Sequence, residues 1–70
     1  MEVLKVNGSE KQFGAGELPA TLAELLGRLD VNAATVVAEV DGRIIQRQDF
    51  AKTELRTGQA IELIRLMGGG

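Results

Sequence analysis

With neither cysteine nor histidine in the sequence, chemistry has to be sought among carboxylates and in the backbone itself. Glu17, Glu24, Asp30, Glu39, Asp41, Asp49, Glu54 and Glu62 supply carboxylates, but no imidazole or thiol stands ready to exchange a proton with them or attack as a nucleophile. These acids read as a solvated, solubilising surface. Gly14 and Gly16 precede a helical pattern, yet the Lys of a P-loop and the third glycine of a dinucleotide fingerprint are both missing, so they read as a connecting loop. What remains is the end of the chain, Gly68-Gly69-Gly70. Backbone without a Cβ can be threaded down a slot in another protein too narrow for any side chain. An α-carboxylate at Gly70 is ionised at neutral pH and can attack the α-phosphate of ATP once a partner enzyme aligns the two. A sulfur nucleophile on the partner could then displace AMP from the acyl-adenylate and leave a thiocarboxylate at Gly70. That sequence of steps needs no cysteine on the chain.

Terminal glycines also occur as frayed ends. Position separates the two readings here, because the glycines follow an apolar stretch, Ala60 to Met67, with no polar spacer of the kind a linker would have. That stretch, rich in Ile and Leu, reads as a last strand. Upstream, Glu2 to Asn7 alternate, and Asn7-Gly8 is a strong hairpin turn signal returning through Glu10 to Phe13. Thr21 and Glu24 form a capping box before Leu22, Leu25, Leu26 and Leu29, which predicts a helix from about Leu22 to Leu29, with Pro19 as an alternative start one turn earlier. Alternation resumes over Val36 to Val40, Asp41-Gly42 turns the chain into Arg43 to Gln46, and Arg47 to Ala51 is expected to form one irregular turn that plants Phe50 as a plug at the core edge. The order β-β-α-β-β-β is that of an α+β, β-grasp (ubiquitin-like) fold, a mixed sheet of four to five strands packed on one helix. Residues 1–67 are expected to form this domain and residues 68–70 a flexible glycine tail. Its expected core is Leu4, Val6, Phe13, Leu22, Leu25, Leu26, Leu29, Val36, Ala38, Val40, Phe50, Ile61 and Leu63.

Seventy residues allow one domain, and a chain this short buries only about 60% of its unfolded surface, which argues against a deep catalytic cleft. Eight basic against ten acidic residues give a net charge of -2 with the signs interspersed, and Phe13 and Phe50 are the only aromatics. Both features argue against nucleic acid as a partner. Charges interrupt every apolar run, so no membrane span or signal peptide is expected, no metal or cofactor is expected to be held by the chain, and the cytoplasm is the expected compartment.

If Ile61 and Leu63 point inward, period-2 alternation sends Glu62, Ile64 and Leu66 to the opposite face, beside Val3 or Val37. Two outcomes follow. Either Ile64, Leu66 and Met67 make an exposed apolar patch on which an activating enzyme docks, or the strand is partly buried on both faces.

The stretches Thr21-Leu22-Ala23-Glu24-Leu25-Leu26, Val40-Asp41-Gly42-Arg43-Ile44-Ile45, Arg47-Gln48-Asp49-Phe50-Ala51 and Ile61-Glu62-Leu63-Ile64, closed by Gly68-Gly69-Gly70, together resemble the ThiS family of sulfur carriers in thiamine biosynthesis. The resemblance spans essentially the whole chain. It implies a non-catalytic β-grasp carrier that an E1-like adenylyltransferase activates at its C-terminus with ATP and magnesium. Conversion to a thiocarboxylate and delivery of sulfur to thiazole synthase follow by the same resemblance. The family's functional residues map onto the terminal glycines, Gly69 and Gly70 in particular. Where the family often has an aromatic or β-branched pair before the glycines, this chain has Leu66-Met67, and Gln46 and Gln59 stand where Pro and an acidic residue are common. Related carriers serve cysteine, homocysteine or molybdopterin synthesis with the same terminal chemistry, and ubiquitin-like modifiers share its activation step.

Overall fold

A computed structural model describes residues 1–66. The strands are β1 (Glu2–Val6), β2 (Ser9–Phe13), β3 (Val36–Val40), β4 (Arg43–Ile45) and β5 (Ala60–Arg65), with one α-helix, α1 (Leu22–Arg28). They build a five-stranded mixed sheet in the order β2-β1-β5-β3-β4, in which β5 runs parallel to β1 and antiparallel to β3. This is the β-grasp arrangement expected from the order of elements.

Both hairpins close through two-residue turns whose residues all have positive φ, Asn7 at 51° with Gly8 at 83° and Asp41 at 51° with Gly42 at 82°. Turns of that kind match the natural strand twist and accept Asn, Asp and Gly most readily. They fix the register at Val6 opposite Ser9 and Val40 opposite Arg43.

At the helix start, the Thr21 hydroxyl accepts from the Glu24 amide at 3.2 Å, and a Glu24 carboxylate oxygen accepts from the Ala20 amide at 3.3 Å. Thr21 is therefore the N-cap, and Pro19 lies outside the helix. The C-terminal end is a Schellman motif: the Val31 amide donates to the Leu26 carbonyl and the Asp30 amide to the Gly27 carbonyl, with Asp30 left-handed at φ 58°. Leu29 caps the helix and does not extend it.

The core lies between α1 and the inner sheet face. Leu4, Val6, Val36, Ala38, Val40 and Ile61 rise from the strands to meet Leu22, Leu25 and Leu26, and Phe50 plugs one side from a 3-10 turn over Arg47–Lys52. Phe13, Leu29 and Leu63, expected in the core, are only partly buried against it: Phe13 ends the edge strand β2, and Leu29 and Leu63 border the groove left where the seven-residue helix stops. Leu55 and Pro19, absent from the expected core, are buried. The cause is a return of the chain beneath the helix start, where Leu22 donates to the Thr53 carbonyl at 2.9 Å and Leu55 to the Ala20 carbonyl at 3.0 Å. Among the described residues no helix is long and apolar enough to cross a membrane.

Candidate functional site

The strand that leads to the glycines is hydrogen-bonded on both sides within the sheet. On one side β5 pairs with β3 over five residues, from Ile61 opposite Val40 to Arg65 opposite Val36, and the Leu66 amide extends the ladder to the Thr35 carbonyl at 2.8 Å. Opposite, the β1 pairing covers only Lys5 with Ala60 and Val6 with Ile61. Two turn side chains complete the hold: Asn7 Oδ1 accepts from the Leu63 amide at 2.7 Å, and Asp41 Oδ1 from the Ala60 amide at 2.9 Å. The residues that make the hairpin turns therefore also lock the strand. Regular strand ends at Arg65, two residues short of the expected Met67. Met67, Gly68, Gly69 and Gly70, all named from the sequence, lie outside the described residues.

Along β5, Ile61 is fully buried and Leu63 partly so, while Glu62, Ile64 and Leu66 face outward. Ile64 and Leu66 each remain 49% exposed, so the outer face of the strand is open at these two positions. Ile64 stands directly opposite Val37. Val3 does not adjoin it, because the β1 ladder meets β5 at Ala60 and Ile61, the other end of the strand.

The patch has a member the sequence reading did not assign to it. Ile44 on β4 is 68% exposed and pairs with Glu39, which in turn pairs with Glu62 on β5. Strand parity carries this signal: a two-residue turn sets Val40 opposite Arg43 on the inner face, so Ile44 must point outward with Val37 and Glu39. Ile44, Val37, Ile64 and Leu66 thus frame two carboxylates on one sheet face, beside the exit of the chain toward the glycines.

The acidic residues are less uniform than a simple solvated surface. Glu24 caps α1 and pairs with Arg28 at 2.9 Å, Glu2 accepts from the Gly16 amide at 3.0 Å, and Asp41 holds β5. Gly14 and Gly16 lie in the loop before the helix cap, as expected. On the inner face, a groove of about 380 Å³ opens where the helix stops, lined by Leu29, Val31 and Leu63 with Lys11 and Arg65 at its rim. Among the described residues no group of His, Cys, Asp and Glu is arranged to hold a metal.

Among the described residues this architecture combines a strand hydrogen-bonded as far as Leu66 with an apolar and acidic outer face. Two structures of a thiamine biosynthesis protein (ThiS) from Geobacter metallireducens share the fold. The crystal structure is 35% identical, with a TM-score of 0.82 over 97% of this chain and 99% of that one. Its solution structure, also at 35% identity, gives 0.77 over 100% of this chain and 88% of that one. A thiazole synthase of Paramagnetospirillum magneticum is 31% identical over 67 residues, which make up 96% of this chain and 20% of that protein, so the chain spans only a fifth of this relative. The ThiS family model matches residues 4–70, through the last glycine, and the chain therefore belongs to the ThiS family.

Proposed function

We propose that the chain is a sulfur carrier whose Gly70 carboxylate is adenylated by an E1-like adenylyltransferase and then converted to a thiocarboxylate. The observation that carries this reading is the family match running through Gly70, at the end of a strand hydrogen-bonded as far as Leu66. Such a strand holds the approach to the glycines in register with the outer face, so docking on Ile64 and Leu66, continued by Met67, would aim the terminus at the partner's nucleotide. Gly68, Gly69 and Gly70 then enter the enzyme without a Cβ to obstruct them.

In the first step a carboxylate oxygen attacks the α-phosphate of ATP and releases pyrophosphate, with magnesium on the enzyme neutralising the phosphates. In the second, hydrosulfide or a sulfur nucleophile equivalent to it attacks the acyl carbon, and AMP leaves with the oxygen. The net result is one sulfur in place of one oxygen. The partner supplies ATP, magnesium and sulfur, and the carrier supplies only the acyl group.

Thiazole synthase is the acceptor this reading favours. A thiazole synthase holds a segment similar to this chain within a protein about five times as long, and joining a carrier to its consumer replaces a bimolecular encounter with an effective concentration. A cytoplasmic location beside these enzymes accords with the proposed partners. The test is ATP–pyrophosphate exchange by the activating enzyme with the full chain and with a variant lacking Gly69 and Gly70. Exchange is expected only with the full chain, while both proteins melt at the same temperature; equal exchange by the truncated variant contradicts the proposal.

A further inference from the structure

The register of β3 against β5 places Glu39 directly opposite Glu62 on the outer sheet face. Glu39 is half-buried and Glu62 exposed, with Ile44 directly across from Glu39 and the paired Val37 and Ile64 next along the two strands on that face. Like charges directly opposite on neighbouring strands oppose folding. Neither carboxylate has an ion-pair partner among the described residues, where the one ion pair is Arg28 with Glu24, on the helix. Lys5, the cation of β1 on the same face, lies level with Ala60 and opposite Glu10 of β2. The sheet needs no carboxylate at either position, since one face of an antiparallel pair is free to carry any polar residue.

From this pair, and resting on the carrier reading above, we infer that the activating partner presents an arginine that seats between Glu39 and Glu62, its plane packed against Ile44 and Ile64. Cross-strand partners have Cβ atoms about 4.5–5.5 Å apart. Two carboxylates at that spacing suit the opposite edges of one guanidinium, which donates from both edges and tolerates an apolar neighbour on its face. A lysine ammonium offers a point charge with no flat face for the isoleucines. The apolar rim excludes water around the pair, which strengthens a charge interaction that would be weak in open solvent. The repulsion retained by the free carrier thus becomes attraction in the complex. It also separates partners, because a surface with an acidic or purely apolar centre would leave both carboxylates without a counter-charge.

The experiment compares the full chain with Glu39→Gln, Glu62→Gln and the double variant, in thermal melting and in steady-state adenylation by the activating enzyme. Each glutamine removes the repulsion, so the melting temperature is expected to rise, by about 2–4 °C in the double variant. That rise also certifies that the variants fold. The KM for the carrier is expected to increase about ten-fold or more with kcat unchanged, and the KM of the unmodified carrier to climb with added salt while that of the double variant does not. Unchanged KM in variants that melt normally overturns the arginine contact and leaves the carrier reading standing. Absence of adenylation of the unmodified chain overturns both.

Discussion

Asn7 performs two tasks with one side chain. Its left-handed backbone makes the first hairpin turn, and its Oδ1 accepts from the Leu63 amide at 2.7 Å, beyond the last residue of β1 that pairs with β5. The two can be separated. In Asn7→Gly the turn conformation is retained and the acceptor is lost, so a loss of about 1 kcal/mol is expected, visible as a lower urea midpoint and faster hydrogen exchange at Leu63. An unchanged exchange rate at that amide would count against the clamp. The turn was legible as Asn7-Gly8; the clamp was not, because it joins residues far apart in the chain and leaves no local pattern. Asp30 is a similar case. Its left-handed conformation ends α1 at a position where glycine is the familiar stop signal, so the sequence placed the helix end one residue late.

At the scale of elements, β5 divides its side chains between the core and an exposed outer face. Ile61 is wholly buried, so Ile61→Ala is expected to cost about 2–5 kcal/mol and to leave a domain this small partly unfolded at 37 °C. Ile64, half exposed, is expected to behave differently: Ile64→Ser should change stability by less than about 1 kcal/mol yet raise the KM for adenylation several-fold. Chemical denaturation and steady-state kinetics on the two variants check the division, and equal stability losses would contradict it. Alternation made the inner face readable in advance, since Leu4, Val6, Val36, Ala38, Val40 and Ile61 fall on one side as expected. Burial of Leu55 could not be read the same way. Its segment has no period of its own and is packed only because Ala20 and Leu22 hydrogen-bond to it.

Seen whole, the described residues form a small five-stranded scaffold packed on one helix. Among the described residues, every fully buried side chain of the core lies at or before Ile61. Fold and proposed chemistry rest on different grounds. The β-grasp order follows from turns and periodicity, whereas the proposed carrier chemistry rests on Gly68-Gly69-Gly70 and on membership of the ThiS family. The outer face falls between: its exposure had to be seen in three dimensions, because Ile64 could equally have been covered by a neighbouring element. The most direct test of the central claim is an intact-mass spectrum of the full chain after incubation with the activating enzyme, ATP, magnesium and hydrosulfide. The account predicts a gain of about 16 Da, one sulfur for one oxygen, dependent on ATP and located at Gly70 by fragmentation. A mass that stays unchanged while the enzyme demonstrably adenylates a known carrier would contradict it.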